Sequence, residues 1–204
     1  MFSRIYGAVL FGLNGYLITV ETDIANGLPS FDIVGLATVA VKEAKERVRA
    51  AVKNSGLAFP VRRITVNLAP ADLPKEGGRF DLPIALGILA ASEQLDISRL
   101  KQFEFVGELA LTGHLRGVHG VIPAILAAQK SKRELIIAKQ NANEASLVSE
   151  QNTYFAQTLL DVVQFLNNQM KLPLASDLTQ EDVIDFFIIR INSATVSGLP
   201  QTGF

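Results

Sequence analysis

The segment from Arg62 to Ala91 constrains the fold of this chain more than any other stretch. It begins with a strand pattern from Ile64 to Leu68, continues through a loop broken by proline and glycine, and ends in an apolar run from Asp81 to about Glu93. An aspartate followed closely by a proline is typical of a helix start. Because this predicted helix is apolar on nearly every side, we expect it to lie at the centre of the core.

Two apolar runs near the start of the chain are separated by a dipeptide that favours a tight turn. Ile5 to Leu13 and Tyr16 to Ile24 flank Asn14-Gly15, and Asn-Gly is preferred at the centre of two-residue hairpin turns. Polar and apolar residues alternate along the second run, as in a strand with one buried and one solvated face. We predict a β-hairpin that turns at Asn14-Gly15.

The clearest helical periodicity extends from Thr38 to Ser55. Apolar residues recur there three or four positions apart, and charged residues of both signs cover the remaining faces. Gly56 follows and is a typical C-terminal stop. The pattern predicts an amphipathic helix with a solvated face of mixed charge, preceded by a short strand from Phe31 to Val34.

The second half of the chain alternates between strand and helix patterns. The predicted elements are a strand pair over Phe103–Leu111 and His114–Val118 turned at Thr112-Gly113, a helix over Val121–Lys130, a strand over Glu134–Ala138, a short helix over Ala142–Val148, an edge strand at Tyr154-Phe155 and a closing helix over Thr158–Asn167. This order is typical of an α+β fold with α/β-like alternation. We predict one domain over residues 1–172, and a linker from Pro173 to Asp177 that opens a C-terminal tail over residues 173–204.

Charge and cysteine content exclude several classes of function. The formal net charge is −1, so nucleic-acid binding requires a local basic patch rather than a global basic field. The chain has no cysteine, which excludes a disulfide framework, a cysteine-based zinc site and a thiol nucleophile. The longest apolar runs, such as Leu82 to Ala91, are about half the length that spans a bilayer. We expect a cytoplasmic protein without a membrane partner.

The loop from Leu73 to Phe80 carries Lys75 and Arg79 on either side of a glycine pair, directly before the predicted central helix. Glycines permit close backbone approach, and helix N-termini favour anions. The loop therefore suggests a phosphate site to which both cations contribute. The alternative is a tight turn with solvated charges, because the segment lacks the G-x-x-x-x-G-K-[ST] pattern.

Few residues are available for acid–base chemistry. His114 and His119 flank Arg116 in a glycine-rich stretch, but their spacing does not place two metal ligands on one helix face. We expect both histidines to be solvated and Glu108 to pair locally. The sequence predicts neither a metal site nor a catalytic residue.

Several long stretches resemble one bacterial protein family, in the same order along the chain. They are Gly27 to Leu36, Val41 to Ala44, Ile64 to Ala91, Gly107 to Leu109, and Gly117 to Gly120. From Met1 to roughly Asp177, the sequence resembles the competence protein ComM and YifB family, the Mg-chelatase-like ATPases of the AAA+ group. The resemblance implies a ribosomal protein S5 domain 2-like fold, the fold of the Lon protease catalytic domain.

Full-length members of that family resemble hexameric DNA helicases that drive branch migration during natural transformation. The resemblance implies that ATP and Mg²⁺ bind at a P-loop and a Walker B acid further along the chain, and it implies no cofactor for this chain itself. Gly198 to Phe204 faintly resembles a P-loop, but Phe204 stands at the lysine position, and Phe186 to Val196 lacks the expected helix pattern. We expect an altered or truncated C-terminus without an ATPase module.

Lon-type proteases carry a serine in a K-[DE]-G-P-S-A-G loop and a lysine in a later helix. Alignment of that loop with Lys75-Glu76-Gly77 places Arg79 at the serine position, and the later segment places Ile122 at the lysine position. Neither side chain supplies a nucleophile or its activating base. The resemblance implies that this chain alone is not an enzyme.

The Lon geometry also implies that five basic residues lie near one another: Arg62, Arg63, Lys75, Arg79 and Arg116. Together they would form a local basic rim that binds DNA phosphates without reading bases. The resulting hypothesis is a non-catalytic domain that contributes DNA-backbone contact and subunit association to a ComM-type protein. The alternatives are a diverged Lon-type peptidase and a pure oligomerisation scaffold.

Overall fold

The computed structural model describes residues 1–178 except 13, 36, 37, 39, 40, 42 and 149–151. A four-stranded sheet with the strand order β1-β2-β4-β3 forms its first half. Its strands are β1 (Phe2–Phe11), β2 (Asn14–Ala25), β3 (Ser30–Val34) and β4 (Arg63–Ala69). β2 pairs antiparallel with both β1 and β4, whereas β3 runs parallel to β4. Ile18 and Val20 on β2 are buried with no exposed surface, which confirms the predicted alternation of faces.

Helix α1 (Ala44–Asn54) connects the parallel strands β3 and β4, as a parallel pair requires a crossover. Its apolar stripe is fully buried, and Gly56 follows its end with a φ of 74°. The described helix begins at Ala44, and the start at Thr38 stays a prediction. The Thr38 N–H and hydroxyl both donate to the Lys75 carbonyl, at 3.4 and 3.0 Å. Most of the residues between Thr38 and Ala44 lie outside the described part of the chain.

The second half holds a three-stranded parallel sheet and a two-stranded antiparallel ribbon. The strands in chain order are β5 (Phe103–Phe105), β6 (Glu108–Leu109), β7 (Leu115–Arg116), β8 (Glu134–Ala138) and β9 (Thr153–Ala156). The parallel sheet has the order β5-β8-β9, which places β9 at its edge as predicted. The predicted long strand from Phe103 is split, because Gly107 bonds to Arg79 and Leu82 instead of to a strand.

Four further helices pack on these sheets: α2 (Asp81–Ala91), α3 (Val121–Lys130), α4 (Ala142–Ser146) and α5 (Leu159–Leu166). All residues of α2 are buried, and the helix packs against β1, β2 and α1. This confirms the prediction of a central apolar helix. Thr158 caps α5 through a capping box, in which its hydroxyl accepts from the Asp161 N–H at 3.1 Å.

The N-terminal hairpin is confirmed, but its predicted turn is wrong. Phe11 pairs with Asn14 and Leu10 pairs with Gly15, so Asn14 and Gly15 belong to strand β2. A Cβ atom added to Gly15 would lie 2.3 Å from the carbonyl oxygen of Pro123 in α3. Gly15 is therefore needed for the close approach of α3 to the sheet, and not for the turn.

The residues predicted to form a linker pack on the parallel sheet. The Phe155 N–H donates to the Pro173 carbonyl at 3.1 Å, Leu174 forms an antiparallel bridge with Tyr154, and Ala175 is fully buried. Residues 173–178 are thus part of the folded unit. The predictions for Phe186 to Val196 and for Gly198 to Phe204 fall outside the described residues.

The structure confirms the α+β fold class, with helices and strands alternating along the chain. Among the described residues, none of the helices combines the length and the apolar character needed to cross a membrane.

We expect Gly15→Ala to lower the free energy of unfolding by about 1–3 kcal/mol, because the new methyl group would push α3 away from the hairpin. Asn14→Ala is the matched control and should change it by less than about 0.5 kcal/mol, since Asn14 is an exposed strand residue. Urea denaturation with a common m-value measures both. A larger loss of unfolding free energy for Asn14→Ala than for Gly15→Ala would contradict this explanation and would favour a turn at Asn14-Gly15.

Candidate functional site

A cleft of about 620 Å³ lies beside the loop that the sequence singled out. The end of β1 supplies one wall, the loop from Pro74 to Arg79 forms the floor, and Glu108 with residues 117–119 closes the other side. Loop, strand end and helix start meet here because Gly107 bonds to both Arg79 and Leu82. The phosphate site predicted for this loop would have to lie in this cleft.

Arg79 is buried in the floor of the cleft, with 8% of its surface exposed. Its Nη1 donates to the Ala8 carbonyl at 3.4 Å, and its Nη2 donates to the His119 carbonyl. Burial lowers the pKa of Arg79 from its usual value. The guanidinium thus links β1 to the segment that leads into α3, and backbone carbonyls accept from both of its terminal nitrogens.

Lys75 has no exposed surface. Its Nζ donates to the Pro70 carbonyl, which fastens the loop onto its own beginning. Burial lowers the pKa of Lys75, and the neighbouring charge of Asp72 offsets only part of this decrease. Because Lys75 and Arg79 are both buried and bonded to carbonyls, they do not form the exposed phosphate site predicted for this loop.

The glycine pair of the loop makes room for a carboxylate of the protein itself. A Cβ atom on Gly78 would lie 2.4 Å from Oε2 of Glu108. Glu108 in turn pairs with Arg116, whose Nη1 lies 3.4 Å from Oε1, as the predicted local pairing requires. With exposed Glu76 on the same cleft, the charges of Glu76 and Glu108 balance those of Arg79 and Arg116, so the cleft offers no excess positive charge to a phosphate.

Asp81 begins α2 as predicted, but it does not cap the helix with its side chain. Its carboxylate is fully buried, accepts from Nε of Arg47 at 2.7 Å and from Nη2 of Arg47 at 3.1 Å, and accepts from the Leu109 N–H at 3.2 Å. Burial raises the pKa of Asp81 to about 6, although the bond and the charge of Arg47 lower it. The hydrogen bond to Asp81 raises the pKa of Arg47. This pair joins α1, α2 and β6 behind the cleft.

The histidines occupy solvated positions, as predicted. His114 is exposed, and its Nδ1 lies 3.1 Å from the Thr112 hydroxyl. His119 is also exposed, and it contributes its backbone carbonyl to Arg79. Within the described ranges, no three His, Asp or Glu side chains converge in a way that could hold a metal ion.

The two positions that correspond to the Lon dyad lie in one neighbourhood. Arg79 is bonded to His119, three residues before Ile122 at the start of α3. A guanidinium with its donors engaged and an isoleucine provide neither a nucleophile nor a base. The geometry that would bring a serine and a lysine together therefore holds two residues of different chemistry.

The prediction of one basic rim is wrong. Arg63 pairs with Ala25 at one end of the sheet, whereas Arg79 contacts Ala8 near the hairpin end. The seven residues of β4 separate the two ends by about 20 Å. Arg62 and Arg63 are exposed at the first end, and Arg116 is exposed beside the cleft but is paired with Glu108.

The sequence did not predict a second basic surface, because two of its residues lie on a helix whose charges are of mixed sign. Arg49 and Lys53 on α1 and Arg62 before β4 line a groove of about 110 Å³. The two helix residues are four positions apart, which places them on one face. That spacing was visible in the sequence, but the approach of Arg62 to the helix is a long-range contact that no local pattern reveals. Below, this feature is called the α1–β4 groove.

The pKa of Asp81 makes stability depend on pH. Its value in the folded chain, about 6, exceeds the usual 3.8, so the folded chain binds more protons than the unfolded chain between these pH values. The contribution of Asp81 to the free energy of unfolding therefore falls as pH rises from about 4 to 6, and is constant above that range.

We expect Arg47→Met to lower the free energy of unfolding by about 3–5 kcal/mol at pH 8, because a buried carboxylate loses its partner. At pH 5 the decrease should be smaller, since Asp81 is then largely protonated with or without Arg47. Denaturant titrations of both proteins at the two pH values measure the difference. An equal decrease at pH 5 and pH 8 would contradict a charged Asp81 as the cause.

Arg79→Met should lower the free energy of unfolding by about 2–4 kcal/mol, because the carbonyls of Ala8 and His119 lose their donors. Arg116→Met, the matched control on the same cleft, should cost less than about 1 kcal/mol, since its ion pair with Glu108 is exposed. Thermal and urea unfolding of the two variants give the comparison. Equal and small decreases would show that Arg79 has no structural role.

Comparison with known proteins identifies the family of the chain. The family model described as "Subunit ChlI of Mg-chelatase" matches residues 20–141. The chain is 70% identical over 182 residues to "Competence protein ComM" of Haemophilus influenzae, which is 89% of this chain and 36% of that protein. It is 53% identical over 169 residues to the YifB protein of Salmonella typhimurium, which is 82% of this chain and 33% of that protein.

A more distant similarity is to a Lon protease. The chain is 24% identical over 136 residues to the Lon protease of Chlamydia trachomatis, which is 63% of this chain and 16% of that protein. The chain spans about a third of the length of the ComM and YifB relatives. Because the ChlI model matches more than half of the chain and the identity with ComM extends over most of it, the chain belongs to the ComM and YifB family of Mg-chelatase-like proteins.

Proposed function

We propose that this chain is the Lon-like domain of a competence-related AAA+ protein of the ComM type, and that it contributes DNA-backbone contact and subunit association. The observation that carries the proposal is the 70% identity with Competence protein ComM over 89% of the chain. The chain covers 36% of that protein. ATP and Mg²⁺ binding, a hexameric assembly and branch migration during natural transformation are therefore proposed for the whole protein and not for these residues.

A non-catalytic role fits the chemistry of the cleft. Arg79 occupies the floor with its guanidinium bonded to two carbonyls, and Ile122 stands where the Lon-type lysine is expected. Peptide hydrolysis needs an activated nucleophile, and neither position supplies one. The similarity to Lon proteases is thus best explained by a shared fold.

DNA-backbone contact is supported by exposed arginines away from the cleft. Arg62 and Arg63 are exposed at the start of β4, and no carboxylate among the described residues forms an ion pair with either of them. The formal net charge of −1 requires that any contact with DNA be local. This end of the sheet, and not the cleft with its balanced charges, is therefore the better candidate.

Subunit association is supported by aromatic surface at the hairpin end. Phe11 is 58% exposed and Tyr16 is 40% exposed, and their rings contact each other edge to face at 6.5 Å. Aromatic side chains are enriched in protein interfaces. The hairpin and the arginines lie at opposite ends of the four-stranded sheet, so that DNA and a neighbouring subunit would use different surfaces.

Fluorescence anisotropy with labelled single-stranded and forked DNA, at low and moderate salt, tests the DNA contact. We expect the full chain to bind both in a salt-dependent, sequence-independent way. The double variant Arg62→Gln/Arg63→Gln should bind more weakly and lower the salt slope by about 0.7 for each single-strand phosphate that is no longer neutralised. Arg116→Gln is the control and should bind like the unchanged chain. No salt-dependent binding by the unchanged chain would refute the DNA role and leave an association scaffold.

A further inference from the structure

The α1–β4 groove collects positive charge that no ion pair among the described residues neutralises. Arg49 and Lys53 reach it from α1, and Arg62 reaches it from the segment before β4. The rest of its lining is neutral, from proline, serine, valine and phenylalanine. Cations on one helix face four residues apart repel each other, and the third cation adds to this repulsion.

The pairing of other cations on the same helix makes this groove unusual. Lys45 lies 3.2 Å from Asp32, and Arg47 is bonded to Asp81. Arg49, in contrast, has a buried Nε atom without a hydrogen-bond partner among the described residues. A buried donor without an acceptor is destabilising, and an anion in the groove would offset the repulsion between the three cations.

The guanidinium of Arg49 is held in place before any ligand arrives. It lies over the ring of Phe59 at 5.3 Å from the ring centroid, and Phe59 packs against Phe31 at a centroid distance of 5.9 Å. A cation stacked on an aromatic ring loses less freedom on binding than a free side chain does. The groove has a volume of about 110 Å³ and all three cations line it, which suits the binding of a single phosphate group.

We propose that the α1–β4 groove binds one phosphate of a nucleic-acid backbone, through Arg49, Lys53 and Arg62. This inference rests on the proposed DNA contact, to which it assigns a defined site and two residues on α1. Arginine donates to phosphate with paired N–H groups, and Lys53 adds a mobile point charge. Because phosphate contacts carry no sequence information, the groove positions the strand and does not read its sequence.

The test uses the full chain, a labelled single-stranded oligonucleotide and anisotropy titrations at several salt concentrations. The variant Arg49→Gln/Lys53→Gln should lower the slope of log affinity against log salt by about 0.7, which corresponds to one fewer neutralised phosphate on a single strand. The control Lys101→Gln/Lys139→Gln changes the net charge equally at exposed positions beside the parallel sheet and should keep the original slope. Circular dichroism checks that all variants are folded.

The outcomes separate this inference from the proposed function. Binding by the unchanged chain that the Arg49→Gln/Lys53→Gln variant retains with the same slope would overturn the groove site and leave the DNA role intact. Equal decreases in the groove variant and the control would show a diffuse charge effect and would also overturn it. No binding by the unchanged chain would overturn both. Thermal stabilisation of the unchanged chain by an acidic peptide, without binding of DNA, would assign the groove to a protein partner instead.

Discussion

The carboxylate of Asp81 is fully buried where two helices and a short strand meet, and the arrangement around the cleft depends on its partners. Arg47 reaches it from α1, and the N–H of Leu109 reaches it from β6. A buried carboxylate is tolerated only when its oxygens are bonded and its charge is opposed. The pair therefore fixes the position of α1 relative to α2, and with it the direction in which the loop before α2 enters the core.

The charged side chains of the loop before α2 stabilise the fold. Lys75 fastens the loop to Pro70, and Arg79 joins β1 to the segment that precedes α3. Buried cations with carbonyl acceptors organise backbone in a way that exposed cations do not, because few other donors can satisfy several separate carbonyls at once. The cleft of this domain is thus stabilised by Lys75 and by Arg79, which stands at the position of the Lon-type serine.

Elements with a strong apolar periodicity could be predicted from the sequence. Features that depend on close packing between distant segments could not. The helix Val121–Lys130 and the strand Glu134–Ala138 agree with the prediction at both ends, because their apolar periodicity is strong and their ends are marked by turn residues. Asn14-Gly15 has a favourable turn sequence, yet the glycine is required by the carbonyl of Pro123. For the site, the loop and its residues were predicted, but the burial of Lys75 and Arg79 and the approach of Arg62 to α1 depend on long-range packing that local patterns do not encode.

The length of β4 has a consequence for the electrostatics of the two ends of the sheet. The cleft and the basic α1–β4 groove are separated by about 20 Å, the span of the seven residues of β4. Because the Debye length is about 8 Å at physiological ionic strength, the carboxylates at one end are screened from an anion at the other. At about 0.01 M salt the screening length grows to about 30 Å and exceeds the separation. The two surfaces should therefore be electrically independent under cellular conditions and coupled only in dilute buffer.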